Sequence, residues 1–266
     1  MTLPSFETIA LTRDDRLLTI TLNRPAVQNA VNEQMHKDLL GVLAFVAEDE
    51  ASDVLVLTGA GRAFSAGGDL GYIAENARQP ERFDRDVRRA KRIVYGMLDL
   101  EKPLIAKLNG HAVGLGATLA LLCDTVFAAD TAKIGDPHVS VGLVAGDGGA
   151  FIWPQRIGYT LAKEYLMTGE LIPAPKAEEI GLINHCVPAA ELDAAVGAFC
   201  QRLLEGSTNA IRWTKVAVNL ELKRIAHTVM DAGIAYEAVS VRSADHREAV
   251  AALQHKRAPS FKREGE

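Results

Sequence analysis

Phe64-Ser65-Ala66-Gly67-Gly68-Asp69-Leu70 and Asn109-Gly110-His111-Ala112-Val113-Gly114-Leu115-Gly116 decide how this chain of 266 residues is read. Each follows a short apolar run, Val54-Leu55-Val56-Leu57 in one case and Leu104-Ile105-Ala106-Lys107-Leu108 in the other. Runs of that length, bounded by turn residues, read as buried strands. Each stretch then sets small residues where a backbone N–H must come close to something. Two separated N–H donors converging on one point stabilise negative charge that develops on a carbonyl oxygen. The second stretch also opens an apolar segment, residues 115–123, that reads as a helix with positive dipole character at its start.

Around these two stretches the pattern alternates between strand and helix. Residues 9–13 and 17–22 alternate as strands, and Asp14-Asp15 supplies the turn of a hairpin. Asn32 caps a helical pattern through Met35, Leu39, Leu40, Leu43 and Val46. Residues 81–98 carry charge on one face and Phe83, Val87, Ile93, Val94 and Met97 on the other. Residues 125–128 and 133–134 read as short strands, and 74–80 as a polar, mobile wall. Beyond Thr160 the pattern is mostly helical, with candidates at 191–204, 209–225 and 229–243 whose apolar faces need a surface to cover. The expectation is an α/β fold.

Composition narrows the function. Apolar residues make up 48% of the chain, enough for a sizeable core. The net charge of −5 argues against a nucleic-acid coat but leaves room for an anionic group held by local cations. Cys123, Cys186 and Cys200 are odd in number and lack metal-like spacing, as expected of thiols in a reducing cytoplasm. The N-terminus lacks a basic region followed by an apolar core, and the apolar run ending at Asp124 is too short to span a bilayer. No G-x-G-x-x-G follows a strand, no Walker lysine loop occurs, and no ligand cluster predicts a metal.

The chain resembles the enoyl-CoA hydratase/isomerase (crotonase) superfamily almost end to end. The likeness rests on Leu22-Asn23-Arg24-Pro25, Gln28-Asn29-Ala30, the two loops above, Cys123-Asp124 and Met167-Thr168-Gly169-Glu170. It continues through Ala177-Glu178-Glu179-Ile180-Gly181-Leu182-Ile183-Asn184 and Lys256-Arg257-Ala258-Pro259-Ser260-Phe261. The resemblance implies a spiral of ββα units over residues 1–195 that carries the active site. Residues 196–266 would form a helical trimerisation region of the same functional domain. It implies a cytoplasmic homotrimer or dimer of trimers acting on an acyl-CoA thioester. Coenzyme A would arrive as part of the substrate, with no tightly bound cofactor, no nucleic acid and no membrane partner.

By the same resemblance the oxyanion donors are the backbone N–H groups of Ala66 and Leu115. Phe64, Gly67, Gly68, Asp69, Gly114 and Gly116 shape the approach of the thioester, Asp69 anchoring its loop. Arg24, Arg62, Lys256 and Lys262 are the cations expected near the nucleotide. Hydratases of the family use two glutamates, and here Thr118 and His138 stand in their places. The replacement candidates are Asp147, which also sits where it can cap the following helix, and His138. Some superfamily members carry an aspartate near that loop position, and hydrolases that cleave cyclic β-diketones carry a similar His and Asp pair. Enoyl-CoA hydration is therefore the leading expectation. Double-bond isomerisation and carbon–carbon hydrolysis are the rivals, and a non-catalytic binding protein is a further alternative.

Overall fold

In the computed structural model, which describes residues 2–261, β1 (Ile9–Asp14) and β2 (Leu17–Leu22) form the expected antiparallel hairpin, Asp14 opposite Leu17. Alternate residues of β2, Leu18, Ile20 and Leu22, are buried, as a strand with one face on the core requires. Helix α1 (Glu33–Glu48) starts where Asn32 accepts a bond from the Met35 N–H at 3.0 Å. It leads into β3 (Val54–Gly59), which is buried throughout and parallel to β2, as the unbroken apolar run demands.

Next come α2 (Leu70–Arg78) and α3 (Pro80–Asp99). The polar stretch at 74–80, expected as a mobile wall, is mostly helix. Asp69 caps α2 by accepting from the Gly71 and Tyr72 N–H groups at 3.0 and 3.2 Å, and Pro80 opens α3 where a missing N–H costs nothing. Strand β4 (Leu104–Leu108) precedes the second glycine loop, β5 (Ala112–Val113) lies within it, and α4 (Leu115–Leu121) begins at its end. Then come β6 (Thr125–Ala129), β7 (Lys133–Gly135), a 3₁₀ turn at His138–Val141 and α5 (Gly149–Thr168), which breaks at Gly158. The remainder is β8 (Ile172–Pro173), α6 (Ala174–Glu179), β9 (His185–Val187), α7 (Leu192–Leu204), α8 (Thr208–Ser240) and α9 (Ala244–Gln254).

The main sheet runs β1-β2-β3-β4-β6-β9 and is parallel after the hairpin; β5, β7 and β8 form a small second sheet. The two helices expected at 209–225 and 229–243 are one helix of 33 residues. Its buried stripe, Ala226, Met230 and Ile234, runs across the presumed break without interruption. Among the described residues, no helix is long and apolar enough to cross a membrane.

Candidate active site

Backbone hydrogen bonds sew the two glycine loops together. The N–H groups of Phe64 and Ser65 both reach the His111 carbonyl at 3.1 Å, and the Val113 N–H reaches the Ser65 carbonyl at 2.9 Å. Glycine is required at the junction. Gly67 has φ +81°, and a Cβ there would sit 2.7 Å from the Val113 carbonyl oxygen and 3.6 Å from the Gly114 Cα. Gly116 serves packing rather than the ligand, since a Cβ would press within 2.7 Å of the Ser65 Cβ.

The expected donor at Ala66 needs correction. Its N–H is donated to the Gln28 carbonyl at 2.9 Å, and the Gly67 N–H leans on the Ser65 hydroxyl at 3.2 Å. The N–H of Gly68 has no partner among the described residues, and neither does that of Leu115 at the first turn of α4. Both residues line one cavity of about 340 Å³. The free donors across the junction are thus Gly68 and Leu115. Parallel pairing between 31 and 68 explains the shift: Val31 takes the Gly67 carbonyl and the Asp69 N–H, leaving the intervening amide to point elsewhere.

Facing these amides is a buried group of acids around one imidazole. His138 opens the 3₁₀ turn, and its Nδ1 is hydrogen-bonded to the Asp136 carboxylate. Its Nε2 lies 3.5 Å from Asp147 Oδ2 and 3.9 Å from Glu237 Oε1. Asp136 thus orients the ring from the side opposite Asp147 and Glu237. Gly149 makes room for it, because a Cβ there would run into its Oδ2. Asp147 is 7% exposed. It does not cap α5: that place belongs to Gly148, without a side-chain bond, and Asp147 Oδ1 has no hydrogen-bond partner among the described residues. Glu237 enters from α8. Gly146 and Gly233 touch backbone to backbone, a Cβ at 146 falling 2.3 Å from the Gly233 carbonyl oxygen, and this close approach brings the next turn of α8 to the site.

Electrostatics sets the charges of the group. Burial opposes a charged His138, but the carboxylates of Asp136 and Asp147 outweigh it and hold the imidazole well above its ordinary pKa of 6.5. Burial and the Asp147 charge drive the Glu237 carboxyl well above 4.5, against the pull of His138. Both His138 and Glu237 are thus biased toward their protonated forms. A native pKa raised above the unfolded value stabilises the fold fully below the unfolded pKa, and that contribution fades as pH rises through the native one. Glu237→Gln, neutral at every pH, should therefore gain Tm relative to the parent as pH climbs from about 4.5 toward the raised native value. Parallel thermal scans check this; a constant difference would mean that Glu237 titrates as it does in the unfolded chain. Asp136, His138 and Asp147 also each place a ligand atom within 4.8 Å of the others, a spacing a cation can bridge.

The remaining expectations divide. Gly67, Gly68 and Gly114 line the cavity, whereas Phe64 is fully buried in the main core and cannot touch a substrate. Asp69 caps α2 and pairs with Arg24 at 3.0 Å, so Arg24 braces the loop, also donating to the Ala30 carbonyl at 2.5 Å. Arg62 and Lys256 are exposed and stand outside the cavity wall; Lys262 lies outside the described residues. Thr118 is buried, and its methyl fills the space beside Gly148. Sequence reasoning missed Asp136, Glu237 and the Gly68 donor. One signal existed for Glu237: it continues the stripe of Met230 and Ile234 at helical spacing, an acid on an apolar face.

A family model described as Enoyl-CoA hydratase/isomerase matches residues 12–264. The chain belongs to the enoyl-CoA hydratase/isomerase family. A probable enoyl-CoA hydratase of Mycobacterium tuberculosis is 34% identical over 262 residues, covering 97% of this chain and 98% of the relative. A 1,2-epoxyphenylacetyl-CoA isomerase of Escherichia coli is 34% identical over 253 residues, covering 92% and 94%. The crystal structure of an enoyl-CoA hydratase/isomerase from Mycobacterium paratuberculosis superposes with a TM-score of 0.87 at 40% identity, covering 93% of this chain and 99% of that one. The crotonase fold and the enzymatic character of the chain follow from these likenesses.

Proposed function

We propose that this enzyme adds water across the double bond of a 2-enoyl-CoA thioester. One observation carries the reading: two unpartnered backbone N–H groups, Gly68 and Leu115, line the same cavity as the buried Asp147, His138 and Glu237. The thioester oxygen sits between the two amides, which hold the charge it acquires in the transition state. Asp147 takes a proton from water as the oxygen bonds to Cβ. The electron pair of the double bond moves toward the thioester, and the neutral Glu237 protonates Cα. The His138 imidazolium then gives its Nε2 proton to Glu237 and takes one from Asp147, restoring all three groups. Its contacts at 3.5 and 3.9 Å favour this relay, and Asp136 keeps the ring oriented and cationic.

A second reading is favoured by one specific feature. Neither family glutamate is present, and an aspartate-backed histidine stands in place of one of them. The same group can direct water onto one carbonyl of a β-diketone, expelling an enolate that the amides receive. Isomerisation needs only one of these carboxyls to carry a proton between carbons. Loss of the conjugated enoyl-thioester absorbance with crotonyl-CoA and longer analogues supports hydration. Appearance of that absorbance from a 3-enoyl thioester supports isomerisation, and release of a carboxylic acid from a β-diketone supports carbon–carbon hydrolysis. Binding of thioesters without any of these reactions would indicate a non-catalytic role. Coenzyme A enters as part of the substrate in this reading, without a resident cofactor. The enzyme acts in the cytoplasm as a homotrimer or dimer of trimers. Trp213, Val218 and Leu220, each more than three-fifths exposed on α8, support the assembly as apolar surface left for a partner copy.

A further inference from the structure

The wall of the cavity formed by α1, α2 and α3 carries a second polar group that the proposed reaction does not use. His36, Tyr72, Asn76 and Asp86 all line it. Tyr72 donates its hydroxyl to Asp86 Oδ2 at 2.5 Å, and Asn76 Nδ2 donates to the same oxygen at 3.0 Å. Those bonds fix the orientation of the amide and leave Asn76 Oδ1, in a side chain only 5% exposed, without a partner among the described residues. His36, 8% exposed, donates Nδ1–H to the Asn32 carbonyl at 3.1 Å, so its Nε2 is an acceptor. Burial lowers its pKa and keeps it neutral against the charges of Asp86 and Asp147. The Tyr72 oxygen, its proton spent on Asp86, is a third acceptor.

Away from the acids around His138, this wall thus presents three acceptor atoms, against the one Asn76 N–H that Asp86 does not take. A hydrocarbon chain would strand them, at a cost that buried unpaired groups always carry. A carboxylate would meet lone pairs and the Asp86 charge. Arg89, the cation beside Asp86, is held by it and by Glu33 at 3.1 and 3.2 Å and does not line the cavity.

We infer that Asn76, His36 and Tyr72 select acyl groups bearing a hydroxyl, against hydrocarbon and carboxylate-ended ones, an assignment that rests on the acyl-thioester reading of the cavity. The test is calorimetric binding of saturated CoA thioesters, which need no reaction, matched in length and ending in methyl, hydroxyl or carboxylate, at each even length from butyryl upward. The hydroxyl-ended ligand is expected to bind about tenfold tighter than its methyl-ended match at one or more lengths. In Asn76→Leu the ratio should collapse to within about twofold, since the acceptor is gone while the volume is kept. Equal binding at every length, a carboxylate preference, or a ratio that survives in Asn76→Leu overturns the inference. A hydroxyl preference without turnover of the corresponding enoyl thioesters overturns the hydration reading and leaves this one standing. No binding by any thioester overturns both.

Discussion

Asp147→Asn is expected to lower kcat by roughly 10²- to 10⁴-fold, the range of a lost general base, while the Kd for an unreactive acyl-CoA stays within about threefold of the parent. The amide keeps the size of the carboxylate and its place beside His138, but it cannot take a proton from water. It also removes one of the two anions that hold the imidazole protonated. The His138 pKa should therefore fall in the variant, a shift that NMR titration of the ring reads independently of turnover. Glu237 should move the same way, because the Asp147 charge is one of the influences raising it. A variant with full activity would remove Asp147 from the mechanism. Loss of activity with an unmoved His138 pKa would break the proposed electrostatic link between them. The two readouts separate chemistry from binding, since the Gly68 and Leu115 amides and the apolar walls are untouched by the change.

The fold was largely legible because its elements obey local rules. An unbroken apolar run becomes the buried β3, and alternation becomes the β1–β2 hairpin. Errors arose where a single residue changes the reading of its neighbours. Asp69 anchors its loop as expected, but it does so as the cap of α2, and that cap turns the polar stretch after it into helix. The pattern also separates helices at 209–225 and 229–243, yet nothing at 226–228 disrupts a helix whose apolar stripe continues through Ala226, Met230 and Ile234. The site was less legible than the fold, for a physical reason. Asp147 and His138 are close in sequence and share loops that a local pattern exposes. Glu237 lies about ninety residues away and arrives only through the glycine-to-glycine contact of 146 with 233, which no local pattern encodes. Likewise the choice between the amides of Ala66 and Gly68 depends on which carbonyls lie alongside, and those belong to Gln28 and Val31.

That choice can be tested one atom at a time. Replacing the 67–68 peptide bond with an ester, by placing glycolic acid at position 68, deletes a single N–H and adds no side chain. It should lower kcat by roughly 10²- to 10³-fold, the usual cost of one oxyanion donor, with KM much less affected. Placing lactic acid at position 66 deletes the N–H that Gln28 already holds. That change should cost about 1 kcal/mol of stability, the worth of an ordinary backbone hydrogen bond, and leave kcat within severalfold of the parent. A side-chain substitution could not separate the two. At Gly68 a Cβ would meet Ile73 Cδ1 at 2.8 Å, so Gly68→Ala adds contact without removing the donor. The opposite ranking, kcat collapsing at 66 and surviving at 68, would mean that the loop rearranges on binding to free the Ala66 amide. Equal insensitivity at both positions would remove this loop from charge stabilisation, leaving Leu115 to hold the thioester oxygen without it.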